Sequence, residues 1–378
     1  MAEKIFSEAK IPYAFPLPLI KHNVELKEGE KQPDVFSTEY LQYVKDLVAK
    51  YVPEIQDNNW VMGYYYGFGS WDNEEKWINT TLERKDSPGR KRLLGILEAK
   101  YQGDIRKFNK VYGADYESFS DLIRNGTLEY PKWIKRHKFG WAEMPKTEGA
   151  QEMYDDAQDL IEEIIVHVYK LGHEEIRRYD KNHMILGSYV KEATLTKETW
   201  QRVAPFIDVI APQHVSKAFP IEPIVKLLGK PALISDQPLG NVYSPHLLMT
   251  KAAHGPVPDH VDRLVIYGIL ANRISKAPEF IGIDICSCLF DQSHPNKAYE
   301  LGQPGFFTIE GESKHHLCRT AKELNKQVLE NVIAQPDTAT AKALDLKYHE
   351  VRSRYTKVIN DRKALLGKYP ANEYSPEH

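Results

Sequence analysis

The 378-residue sequence holds only three cysteines, too few for a disulfide framework in a chain of this size. Two of them stand as Cys286-x-Cys288 inside an apolar run, where they read as buried core thiols rather than as metal or redox groups. Charge of one sign is missing as well: 50 Lys and Arg face 53 Asp and Glu, for a formal net charge of −3, so the basic footprint of a nucleic-acid binder is absent. No stretch approaches ~18 uninterrupted apolar residues, which argues against a membrane span. The opening MAEKIFSEAK is charged and has no apolar h-region, so no signal peptide is read in this chain and its compartment stays open. There is no Gly-rich phosphate loop, no Ser or Cys nucleophile elbow and no His-Glu-x-x-His pattern. His315-His316 has no partner at metal spacing and reads as a solvated pair. The expectation is a protein without metal, organic cofactor, nucleic-acid partner or membrane partner.

What the sequence does have is an ordinary globular balance, 42% apolar and 27% charged, and 11% aromatic residues, most of them Tyr. Tyr and Trp carry an apolar face and a polar edge, which suits sugar rings, interfaces or a large core. Continuous apolar runs at Ile11–Ile20, Trp60–Phe68, His183–Tyr189, Ile207–Gln213, Pro231–Gln237 and Phe280–Leu289 read as strands buried on both faces of a parallel sheet. Helical spacing of three and four marks Thr38–Tyr51, Lys91–Tyr101, Ile105–Val111, Ala150–Tyr179, Val257–Lys276 and Glu312–Ile333. Strands alternating with helices predict an α/β fold of βαβ units, a (β/α)8 barrel type. Residues 72–148 read as a helical insertion that ends in the basic and aromatic stretch Tyr130–Trp141. That stretch is a solvated helix face with anchored aromatics or a contact for an acidic polysaccharide.

In a parallel αβ barrel the reacting groups sit at the carboxyl ends of the strands. The strand Trp60–Phe68 runs into Trp71, Asp72, Glu74 and Glu75, and Pro231–Gln237 ends in Asp236 and Gln237. Carboxylates at the ends of two such strands are what glycoside hydrolysis needs: one protonates the leaving oxygen, the other attacks the anomeric carbon or activates water. Tyr64, Tyr65, Tyr66, Phe68 and Trp71 would gather aromatic faces at one strand end, with Trp71 either a stacking platform or a core residue. His214 is a substrate hydrogen-bonder or a structurally satisfied side chain. His173 and His183 read as structural, and Asp180 as a turn residue.

The block Asn59–Tyr66, Asp86-Ser-Pro, the helix Arg92–Tyr101 and the run Asp104–Gly113 resemble the fourth-strand region of the clan A glycoside hydrolases, above all the family 50 β-agarases, with family 42 β-galactosidases more distant. Tyr179–Gly187, Phe206–Ile210, Lys230–Asp236 and Pro278–Gly282 resemble their fifth to eighth strands, and the likeness runs from about Val35 to Val332. It implies a saccharide substrate of the galactan type (agar, porphyran or carrageenan). It places the nucleophile on Asp236, but the acid/base glutamate on Gly69 and the preceding asparagine on Phe68. The triplet Asp72-Asn73-Glu74 comes too late for that register, so Asp72, Glu74 or Glu75 is the acid only if its loop folds back. The candidate catalytic residues are therefore Asp236, Glu74, Glu75 and Asp72. The candidate substrate-binding residues are Trp71, Tyr65, His214, Gln213, Gln237, Asp284 and Asp291. The readings are a hydrolase with relocated carboxylates, a saccharide-binding relative without turnover, and a fragment of a longer hydrolase; retention or inversion stays open.

Under this mapping only two elements of the barrel, the strand Ile11–Ile20 and the helix Thr38–Tyr51, precede the fourth-like strand. The expectation is a barrel incomplete at its N-terminus, with the first two strands missing and a barrel domain over residues 1–335. The tail, 336–378, reads as helical. An open edge of apolar parallel strands calls for a cover, the C-terminal helices or a second copy of the chain in a homo-oligomer.

Overall fold

A computed structural model describes residues 7–8, 10, 12–20, 31–68, 74–134, 145–191, 195–213, 222–237 and 279–285, with isolated positions between 313 and 330. The chain divides into two compact units, Met1–Ala211 with Ile221–Lys230, and Pro212–Pro220 with Pro231–His378.

In the first unit three parallel strands lie side by side: β1 (Tyr13–Pro16), β2 (Val61–Phe68) and β3 (Met184–Lys191). Tyr13 pairs with Val61 and Pro16 with Tyr65; on the other side Gly63 pairs with Met184 and Tyr65 with Gly187. Between β1 and β2 runs α1 (Thr38–Ile55), opened by Ser37, whose hydroxyl accepts the Tyr40 N–H. Its buried stripe Tyr40, Val44, Val48 and Val52 repeats every four residues, and Pro53 is tolerated in the last turn. Between β2 and β3 come α2 (Glu74–Leu82), α3 (Pro88–Lys100), α4 (Ile105–Tyr112), α5 (Phe119–Arg124) and α6 (Ala150–Arg177). After β3 follow α7 (Lys197–Val203) and, in the same unit, α8 (Glu222–Leu228), which packs on it.

The long α6 is the outer layer against β2. Its buried stripe includes Leu160, Ile164, Val168, Tyr169 and Gly172. Gly172 must be glycine, because a Cβ there would come within 2.7 Å of the Tyr66 ring. Gly63 is fixed by a backbone approach: a Cβ would run into the Met184 carbonyl of the neighbouring strand.

The second unit has its own parallel strands, β4 (Pro212–Gln213), β5 (Ala232–Gln237) and β6 (Phe280–Ile285). Gln213 pairs with Ser235, Ala232 with Phe280 and Gln237 with Ile285. Ala232, Leu233, Ile234 and Ser235 are all buried, as the continuous apolar run requires.

The strand expected over Ile207–Gln213 shrinks to Pro212–Gln213, and residues 204–206 form a 3-10 turn. The cause is Asp208. Its carboxylate accepts the Ile185 N–H at 2.7 Å and an Arg177 guanidinium N–H at 2.5 Å, so a side chain takes the donor that a neighbouring strand's carbonyl would have used. The segment expected as a helical insertion carries α2 to α5, and Tyr130 and Ile134 anchor the start of its aromatic stretch in the core. Residues 135–141, the helix expected over Val257–Lys276, most of Glu312–Ile333, the Cys286–Cys288 pair and the tail after 335 lie outside the described residues.

Among the described residues the fully buried Tyr66 hydroxyl has no hydrogen-bond partner, so Tyr66→Phe removes a desolvated group without orphaning another. We expect Tyr66→Phe to leave the urea midpoint unchanged or higher, and Gly63→Ala to lower stability by about 1–3 kcal/mol through the enforced strand shift. Equal losses in the two variants would contradict this packing.

Candidate functional site

The carboxyl ends of β1 to β3 are shaped by backbone turns and by tyrosines. Leu17 N–H donates to the Tyr65 carbonyl at 2.8 Å, carrying the β1–β2 pairing past Pro16. Two α1 hydroxyls hold the chain just beyond: Tyr40 donates to the Leu19 carbonyl at 3.0 Å and Tyr43 to that of Pro18 at 2.6 Å. β2 turns at Gly67, with φ +95°, and β3 bulges at Gly187, with φ +69°. The Ser188 N–H donates to the Tyr169 hydroxyl of α6 at 3.2 Å, which fixes that bulge.

The aromatic cluster expected at this strand end is only partly there. Tyr64 and Tyr66 are fully buried on the helix side: Tyr64 bonds Asp180, and Tyr66 packs edge-on against Tyr169 at 5.8 Å between ring centres. Tyr65 alternates with them onto the opposite face and is half-buried. Those two tyrosines are core, because period two sends neighbours on one strand to opposite sides.

The candidate carboxylates fall in both units. Glu74 and Glu75 are the first two residues of α2, and Glu75 is half-buried. In the second unit Asp236 and Gln237 are the last two residues of β5, and Asp284 is the penultimate residue of β6. The β5–β6 register slips between Ile234 and Gln237, so Asp284 lies level with Ser235 and Asp236 on the adjacent strand. Gln213 ends β4, opposite Ser235. Trp71, Asp72, His214 and Asp291 lie outside the described residues.

One concavity was not foreseen. α2 buries Trp77, Ile78, Thr81 and Leu82 on one face and turns Glu75, Asn79 and Glu83 outward at four-residue spacing. Opposite them runs the extended segment 129–132. Asn79 staples it: its Nδ2 donates to the Tyr130 carbonyl at 2.8 Å and its Oδ1 accepts the Tyr130 N–H at 2.7 Å. Between helix and segment lies a groove of about 550 Å³. The polar stripe of α2 was readable in the sequence, but the partner wall comes from residues some fifty positions on.

At the amino ends of the same strands, Asp180 is much more than a turn residue. Its carboxylate accepts from the Tyr64 hydroxyl at 2.5 Å, the His183 ring at 2.5 Å, and the N–H groups of Asn182 and His183 at 2.8 and 3.1 Å. The other His183 nitrogen faces the Asn58 carbonyl at 3.1 Å, and the Asn58 amide reaches the Tyr13 hydroxyl of β1. Burial by itself would raise the Asp180 carboxyl, but the bonds from Tyr64, His183 and Asn182 outweigh it and hold the group below the usual carboxylate range. Burial, then the bond to Asp180, pushes the Tyr64 phenol well up. His173, read as structural, packs edge-on against Phe206 at 5.9 Å. Among the described residues no three His, Cys, Asp or Glu side chains gather as metal ligands, and no helix is long and apolar enough to cross a membrane.

This arrangement of parallel strands and helices is shared with solved structures of glycoside hydrolases. An exo-β-agarase superposes with a TM-score of 0.66 at 19% identity over 88% of this chain and 44% of its own. A second agarase gives 0.64 at 18% identity over 87% and 46%, and a β-galactosidase from the psychrophilic Marinomonas ef1 gives 0.54 at 13% over 87% and 48%. In sequence the chain is similar to β-agarase B of Vibrio sp. (strain JT0107), 23% identical over 310 residues that make up 78% of this chain and 30% of that protein. The chain thus spans less than half the length of these agarases. No model of a protein family matches it. It is β-agarase-like in sequence and in fold.

Because the folded Asp180 carboxyl is depressed, its contribution to stability is complete above the ordinary carboxylate value of about 4 and is lost as pH falls through the lower folded value. Asp180→Asn should unfold at lower urea at pH 7 and lose part of the acid limb of the stability profile; a parallel, undiminished acid limb would rule the network out.

Proposed function

We propose that the chain is a glycoside hydrolase domain of (β/α)8 type acting on a galactan, agar-like saccharide. The observation that carries this reading is the similarity to β-agarase B across 78% of the chain, in which β5 brings Asp236 to the end of a buried parallel strand. Asp236 serves as nucleophile or base. Asp72, Glu74 or Glu75, on the stretch that follows β2, supplies the proton to the leaving oxygen. Tyr65, Trp71, Gln213, His214, Gln237, Asp284 and Asp291 contact the sugar. An aspartate is shorter than a glutamate by one C–C bond, about 1.5 Å. The wider gap suits a water-mediated, inverting displacement better than direct attack. The chemistry asks for no metal or organic cofactor.

A saccharide-binding protein without turnover is the second reading, and two observations favour it. The resemblance puts Gly69 where a glutamate acid/base would stand. Glu75, one of the candidates for its replacement, lines the groove beside residues 129–132.

Reducing-sugar release from agar, porphyran and carrageenan oligosaccharides separates the two. Hydrolysis predicts release by the wild type and a loss of about two to four orders of magnitude in Asp236→Asn. Calorimetric binding by both proteins with release by neither would establish the binding reading. Equal release by the two proteins would remove Asp236 from the mechanism.

A further inference from the structure

We propose that the groove between α2 and residues 129–132 is a second saccharide-binding site, an extension that receives the part of a neutral polysaccharide lying beyond the strand ends. The proposal rests on the saccharide reading above and concerns a surface that shares with it only Glu75, at one end of the groove.

The groove is built rather than incidental. Its two walls are held together by the paired Asn79–Tyr130 hydrogen bonds, so the segment 129–132 keeps its distance from the helix whether or not a ligand is present. Its length follows from the helix. Glu75 and Glu83 are eight residues apart on one face, which at the α-helical rise is about 12 Å, enough for a short oligosaccharide. Its upper end is marked by Glu75, the second residue of the helix that follows β2 in the chain.

Its chemistry selects among ligands. The lining holds Glu75, Glu83 and Glu129 together with Lys76 and Lys132, and Lys31, outside the lining, pairs with Glu83 at 2.8 Å. Neither sign dominates, so the groove does not draw a polyanion or concentrate a cation. A lining that offers both acceptors and donors suits vicinal hydroxyls, each of which gives and takes a hydrogen bond. Pro131 offers an apolar surface for the C–H face of a sugar ring. Such exposed contacts are individually weak, which suits a site that holds a polymer in place without trapping a product.

The test uses the whole chain and neutral agar oligosaccharides of increasing length, with binding read by calorimetry. Glu129→Ala and Lys132→Ala change exposed rim residues, and Thr80→Trp fills the groove floor. We expect binding of the longest oligosaccharides to weaken about tenfold in each of the three variants, binding of the shortest to stay the same, and unfolding midpoints of the two alanine variants to match the wild type. Wild-type binding that none of the three variants alters overturns the groove and leaves the saccharide reading standing. No saccharide binding by the wild type overturns both. Calcium binding that is lost in Glu129→Ala, with no length-dependent saccharide effect, would make the groove a cation site and overturn the proposal.

Discussion

The buried carboxylate of Asp180 ties the first unit together. Three strands of a parallel sheet have no hairpins to set their register, so something must fix where each begins. Asp180 does so for β2 and β3 through Tyr64 and His183, and Asn58 passes the link to Tyr13 of β1. A carboxylate only 2% exposed would be a liability without partners; with four donors it is satisfied and directional. The amino ends of the strands are thereby locked, and the irregular positions, Gly67 and Gly187 with their positive φ, fall toward the other end.

The helices between β2 and β3 obey the same logic with different groups. Arg90 is 2% exposed and donates to carbonyls of Leu122, Ile123 and Gly126 at the end of α5 and of Leu82 at the end of α2, closing helix termini that lack their own acceptors' partners. Asp156 on α6 accepts from Tyr101 and Tyr112 and pairs with Lys100, and Tyr112 in turn bonds Tyr130 at the groove. Phe108 stacks on Tyr112 at 4.3 Å. Much of the aromatic content is therefore spent on a core of hydroxyls and rings around two buried charges, far in sequence from any strand end.

Five of the six strands were legible as largely unbroken apolar runs, and α1, α3 and α6 because their stripes are regular. What failed did so for reasons that act over long separations. Ile207–Gln213 has the right residues for a strand, but Asp208 is captured by Arg177 and Ile185, thirty-one and twenty-three positions away. Tyr64 and Tyr66 looked like a sugar platform, whereas α6 and Asp180 claim them from beyond residue 168. Asp180 itself was readable as a turn former, and its two backbone acceptances bear that out. The Tyr64 bond, which gives it its weight, leaves no mark in a local window. Likewise the α2 stripe of Glu75, Asn79 and Glu83 was visible, but not that Tyr130 would close it into a groove.

These facts bear on how the catalytic positions of a hydrolase could drift on this scaffold. Register is set at the amino ends by Asp180, Asn58 and Tyr64, and the helical layer by Arg90, Asp156 and Gly172. Position 69, which the resemblance aligns with a glutamate, is a glycine and follows the last residue of β2. Loop residues in general tolerate exchange at smaller cost in stability than buried charges do. On that account a relocated acid on the loop or helix after β2 would be easier to reach than a rebuilt strand, and Glu75, which lines the stapled groove, is a described carboxylate on that helix.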